Sequence, residues 1–98
     1  MNVRILTSAL NDLVAGQEFY ERQGEGVGAY FFDSLFSEID SLSIFAGVHR
    51  KTGGFYRLLA RRFPYAIYYK IDSDGSVVVY RVLDCRQSPG KIQRELEM

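Results

Sequence analysis

Tryptophan is absent from the 98-residue sequence, proline occurs twice and cysteine once. One cysteine cannot close an internal disulfide, so nothing points to the stapled small domains of oxidising compartments. The single histidine, His49, and Cys85 lie far apart in the chain. They offer no metal-ligand spacing, and neither a metal nor another cofactor is expected. No apolar run approaches the roughly 18 residues that a membrane helix requires. The N-terminal apolar stretch is broken by Thr7, Ser8, Asn11 and Asp12, too interrupted for a secretory signal. A soluble, cytoplasmic chain is the expectation. Net charge is missing as well, with twelve Lys and Arg against twelve Asp and Glu, so bulk charge carries no sign of a nucleic-acid partner.

What is present is a hydrophobic fraction of 47%, enough for one core and a single domain over residues 1–98. The charge is unevenly placed. Residues 1–49 hold two basic against seven acidic residues, whereas residues 50–94 hold ten basic against three acidic. Such a split is expected to give one positive face that attracts an acidic or phosphate-rich partner.

NVRIL (2–6) reads as a short strand, with Thr7 and Ser8 as candidate caps for a helix running to about Gln23. Leu10, Leu13, Val14 and then Phe19 or Tyr20 recur at helical spacing along it. GEGVG (24–28) breaks the pattern. It joins helix to helix and lacks the fuller glycine pattern of a nucleotide loop, so it reads as a turn. A second helix is expected over about 27–45, with Phe32, Leu35, Phe36, Ile39 and Leu42 as its apolar stripe, widened by Tyr30 and Phe31. After a basic loop, GVHRKTGG (47–54), the period changes to two. FYRLLARRF (55–63), YAIYYKI (65–71) and SVVVYRVL (76–83) read as three strands in antiparallel meander pairing. Tyr65, Ile67, Tyr69 and Ile71 suit a core face. Ser88 and Pro89 can open a last short helix whose apolar pair is Ile92 and Leu96. The order is βααβββ(α): an α+β domain with a helical hairpin packed on a largely antiparallel four-stranded sheet.

Arg57, Arg61, Arg62, Lys70, Arg81 and Arg86 fall on these strands or their exits. Guanidinium groups stay charged and grip carboxylates or phosphates with two prongs, so several on one sheet face would make an anion-reading platform. Arg81, between Tyr80 and Val82 in an apolar strand, requires solvent or a partner.

FPYAIYYKIDSDGSVVVYRVLDCRQSP resembles the sheet of the RelE/ParE toxin superfamily of bacterial toxin-antitoxin and plasmid-stabilisation modules. Pro64, Tyr65, Ile67, Tyr69, Arg81, Val82, Leu83 and Arg86 carry the resemblance, with Arg57 at the place of the arginine usual in the preceding strand. The resemblance implies a RelE/ParE-like fold and a type II toxin neutralised by a cognate antitoxin, with Arg57, Arg61, Arg81 and Arg86 as candidate antitoxin- or target-binding residues. Two departures bear on activity. Asp84 stands where the family often has His, and Ala66 where RNA-cutting relatives tend to carry Arg. Acid-base chemistry on RNA needs groups that move protons, so these losses favour a ParE-like action on DNA gyrase, without catalysis. The alternatives are a ribosome-dependent messenger endoribonuclease using Arg57, Arg81, Arg86 and Lys51, and an inactive member kept for antitoxin binding. His49 reads as a surface loop residue and Cys85 as a small strand-end residue.

Overall fold

The computed structural model describes residues 2–97. Alternation in the fourth strand sets the frame. β4 (Tyr65–Ile71) turns Tyr65, Ile67, Tyr69 and Ile71 toward the helices and Ala66 and Tyr68 to the opposite face. It pairs antiparallel with β5 (Val77–Asp84) and with β3 (Phe55–Leu59). β1 (Val3–Ile5) pairs parallel to β5, so the sheet is mixed. It has five strands, not the four expected. The fifth, β2 (Arg50–Thr52), pairs antiparallel with β3 and gives the order β1-β5-β4-β3-β2. Gly53 and Gly54, at φ +58° and +86°, form the two-residue turn between β2 and β3. Positive φ at both central positions matches the twist of a tight hairpin, and glycine adopts it without a Cβ penalty.

α1 (Thr7–Gln23) and α2 (Val27–Asp40) form the expected hairpin, followed by the short α3 (Leu42–Phe45) in place of one continuous helix. The Glu21 carboxylate accepts from Gly26 N at 3.1 Å and Gly28 N at 2.9 Å. It thereby satisfies free N–H groups at the start of α2 and fixes the turn read from GEGVG. The two helices approach closely at Gly28, where a Cβ would lie 2.5 Å from the Gln17 carbonyl oxygen.

The buried stripe is shifted from the expected one. On α1 it runs through Ala9, Leu13 and Gly16, while Leu10 and Val14 stay exposed; on α2 it runs through Phe31, Leu35 and Ile39, while Tyr30 is exposed and Phe32 and Phe36 are half-buried. Small Ala9 and Gly16 let α1 sit close to its neighbours. Gly16 faces the Phe31 ring so tightly that a Cβ there would come within 2.5 Å of it. Phe31 packs edge-on to Tyr65 and Phe63 and stacks with Tyr20. Volume is thus supplied by aromatic rings from the far end of α1, from α2, from β4 and from Phe63 just before it.

Neither Thr7 nor Ser8 caps α1. Leu6 holds the cap position without a side-chain bond, and Ser8 Oγ donates instead to the Tyr80 carbonyl at 2.7 Å. That contact belongs to a wider arrangement. β1 spans three residues and leaves the rest of the β5 edge open, and α1 takes over: Leu6 N donates to the Val79 carbonyl, and Val82 N donates to Asp12 Oδ2 at 2.9 Å. Groups at an exposed strand edge are thereby satisfied by a helix.

α4 (Pro89–Leu96) begins as the sequence suggests, with Ser88 Oγ accepting from Lys91 N at 3.2 Å and Pro89 in the first turn. Ile92 and Leu96 rest on the outer sheet face, against a second, smaller apolar cluster of Phe55, Ala66, Tyr68 and Leu83.

Candidate functional site

The outer face of the sheet, opposite the helical hairpin, carries the chemistry. A register irregularity at Tyr68/Tyr69 leaves Tyr80 without a directly paired residue: Tyr69 pairs with Val79 and Tyr68 with Arg81. A bulge of this kind turns two successive residues to one side and re-aims a side chain. Tyr80 packs on Phe55, and the Lys70 ammonium lies over the rings of both. Arg81 reaches toward α1 and α4.

Arg81 is neutralised within its own chain. Its Nε donates to Asp12 Oδ2 at 2.7 Å and its Nη2 to Asp12 Oδ1 at 2.9 Å, a two-pronged pair. Nη1 donates to the Glu95 carbonyl at 2.7 Å and Nη2 to the Glu95 carboxylate at 3.0 Å. The Arg81 and Asp12 side chains are each only 15% exposed, so both charges depend on each other. Hydrogen bonding to Asp12 holds the guanidinium pKa above its ordinary value. One arginine therefore joins α1, β5 and α4.

Arg86 leaves the end of β5 and folds back on Asp84, with Nη2 at 2.7 Å from Oδ2. The bonds from Arg86 hold the Asp84 carboxyl below its ordinary range. Arg61 is not on the same face as Arg57. β3 ends at Leu59, short of the expected Phe63, and Arg61 lies on the helix side, where its backbone N–H and its Nη2 both meet the Glu38 carboxylate of α2.

Arg57 differs from these three. It sits on the outer face, with Nε donating to the Tyr68 hydroxyl at 3.1 Å and Nη2 facing Cys85 Sγ at 3.5 Å. The bond to Tyr68 raises its pKa. No carboxylate lies within ion-pair distance of it among the described residues. Arg57 lines a cleft with Phe55, Tyr68, Cys85, Ile92 and Leu96, between the sheet and α4.

The expected platform of four free guanidinium groups is therefore corrected. Arg61 is on the other side, Arg81 and Arg86 are paired internally, and the face is an apolar floor partly roofed by α4, with Arg57 at the α4 cleft and Lys70 over the Phe55 and Tyr80 rings as cations that meet no carboxylate among the described residues. His49 is not a free surface residue either. Its Nδ1 hydrogen-bonds the Tyr69 hydroxyl, and burial lowers its pKa. Tyr69 lies on the helix side of β4, so His49 and Arg57 occupy opposite faces of the sheet. Burial also pushes the Tyr65 hydroxyl up to about 12. Asp12, Tyr68 and Glu95 were not among the sequence candidates. Among the described residues no cluster of His, Cys, Asp and Glu could hold a metal ion, and no helix is long and apolar enough to cross a membrane.

A hairpin of helices on one face of a mixed five-stranded sheet, an arginine-bearing last strand and a short closing helix define the fold. Residues 3–89 match the ParE toxin of type II toxin-antitoxin system, parDE, and the chain belongs to that family. Among solved structures it is similar to a chain of the chromosomal ParDE system from P. aeruginosa, with 18% identity over 84% of this chain and 92% of that one and a TM-score of 0.76. It also matches the M. tuberculosis RelBE2 complex, at 25% identity over 83% and 93% of the two chains and a TM-score of 0.46. The isolated E. coli RelE toxin gives 18% identity over 95% and 93%, with a TM-score of 0.44. No curated protein matches the sequence.

Proposed function

We propose that this ParE-family toxin arrests growth by poisoning DNA gyrase, through binding and without chemistry of its own, and that a cognate antitoxin neutralises it. The observation that carries the choice of target is the separation of His49 from Arg57 by the sheet. RNA cleavage requires proton-moving groups beside the cation that stabilises the phosphate. The sole imidazole is on the wrong face, bonded to Tyr69. At position 66 the outer face has a fully buried alanine where an RNA-cutting site would use arginine. Internal pairing of Arg81 and Arg86 removes two further cations from such a site.

An antitoxin partner is supported by exposed apolar side chains. Ile44 is 75% exposed, Val48 73%, Phe45 55% and Leu59 54%, all around α3 and the end of β3. Phe45, Val48 and Leu59 border one hollow; an exposed apolar patch of this kind marks an interaction surface, and a partly disordered segment that folds on binding can cover it.

Co-expression tests the assignment. The chain alone should arrest growth, and co-expression with the antitoxin frame adjacent to its gene should restore growth. Equal growth in both cases would remove the toxin reading. Codon-phased cuts in ribosome-bound transcripts would replace gyrase with the ribosome as the target.

A further inference from the structure

The cleft between α4 and the outer sheet face has a volume of about 430 Å³, within the roughly 300–1,000 Å³ typical of small-molecule pockets. Phe55 and Tyr68 form its floor and Pro89, Ile92 and Leu96 its helical wall, so its lining is largely apolar. We infer that it binds a small organic carboxylate, with an apolar body between Phe55, Ile92 and Leu96 and a carboxylate held by the Arg57 guanidinium, which the Tyr68 hydroxyl positions.

Charge accounting selects the anion. Arg61, Arg81 and Arg86 each meet a carboxylate of their own chain, whereas Arg57 meets only a phenol and a thiol, neither of which neutralises it. Its Nη1 makes no hydrogen bond among the described residues, which leaves one edge of the fork available. Tyr68 is 1% exposed, and its oxygen accepts from Arg57 Nε, so the buried phenol fixes the guanidinium in the cleft wall. A guanidinium held in one orientation with an open edge is a matched donor for one carboxylate. Apolar walls on both sides favour an anion with a hydrocarbon body over inorganic phosphate. Glu97 stands at the rim and opposes the ligand's charge.

Size selects a small molecule over a peptide. α4 closes the cleft and is tied down, because Arg81 holds both the carbonyl and the carboxylate of Glu95 while Ile92 and Leu96 rest on the sheet. A peptide would have to displace this helix; a ligand of about ten to twelve heavy atoms fits beneath it. The inference does not depend on gyrase being the target.

The test is titration of the isotopically labelled full chain with 4-phenylbutanoate, followed by NMR. Saturable shifts are expected at Phe55, Arg57, Ile92 and Leu96. 4-Phenylbutanamide, of the same shape without the charge, should bind about tenfold or more weakly, the usual weight of a charge-assisted hydrogen bond. Arg57→Gln should lose about the same factor. Tyr68→Phe should weaken binding while keeping the ring, and Glu97→Gln should strengthen it. Equal affinity for acid and amide would overturn the inference, as would full affinity in a folded Arg57→Gln protein or shifts that map away from the cleft. It would also fail if an acidic peptide bound with loss of the Arg81–Glu95 bonds while 4-phenylbutanoate did not bind. Binding of 4-phenylbutanoate by a chain that causes no growth arrest would keep this site and remove only the toxin reading.

Discussion

Among the described residues, twelve buried residues from α1 to α3, β4 and β5 share one apolar cluster on the helix side of the sheet, whereas on the outer side four buried residues are covered by Tyr80, Cys85 and, from α4, Ile92 and Leu96. α4 itself buries no residue. The helix side holds by packing, and the outer side by a few groups with one arginine at their centre. Regions of the second kind open locally at lower free energy than the whole domain, so the cleft and its helix are the part of the molecule able to respond to a ligand. Surfaces that bind are commonly drawn from this less stable end, while the packed side keeps them in register.

The largest expected effect lies on the packed side. Phe31→Ala removes a fully buried ring stacked among Tyr20, Phe63 and Tyr65 and should cost about 3–5 kcal/mol in urea unfolding. Asp12→Ala tests the tether between the two sides. It leaves the Arg81 guanidinium and the Val82 N–H without their acceptor, and a loss of about 2–3 kcal/mol is expected. Asp12→Asn, which keeps an acceptor, should lose less; an equal loss would mean that charge, not the edge bond, dominates.

Leu96→Ala probes the outer side directly. It should reduce global stability by about 1 kcal/mol or less, because the side chain is only half-buried. Its amide-exchange signature should be larger: α4 loses protection while α1 and α2 keep theirs. Uniform loss across the chain would show that the two sides unfold together. The smallest effect concerns His49. Burial lowers its folded pKa, so the unfolded chain takes up the proton first as pH falls through about 6.5. The contribution is present above that pH and lost below it, until the folded pKa is passed. A shallow decline is expected there, and His49→Gln should flatten it in pH-dependent unfolding.

The same division between the faces governs what the sequence made legible. Alternation in YAIYYKI gave the core face of β4, and the spacing of Ile92 and Leu96 gave the inward side of α4, since both patterns are local. β2 escaped detection because Arg-Lys-Thr is exposed at all three positions and has no alternation to read. Its strand character comes from pairing across Gly53 and Gly54, and that adjacent glycine pair was the available signal. The β1–β5 pairing and the Asp12–Arg81 bond join residues about 70 apart in the chain; neither has a local signature. Arg81 was recognised as needing a partner, but only the bulge at Tyr80 and the short β1 determine that Asp12 supplies it. The exposed Leu10 and Val14 misled because α1 relies on Ala9 and Gly16 for close approach, and small residues leave little trace in a hydrophobic pattern.

The proposed target is tested most directly with purified gyrase, supercoiled plasmid and this chain, scored for protein-linked double-strand breaks. Breaks should accumulate as the chain is added and should disappear when its antitoxin is present. Intact plasmid throughout, together with codon-phased cuts when the same preparation is given ribosomes and messenger RNA, would contradict action on gyrase.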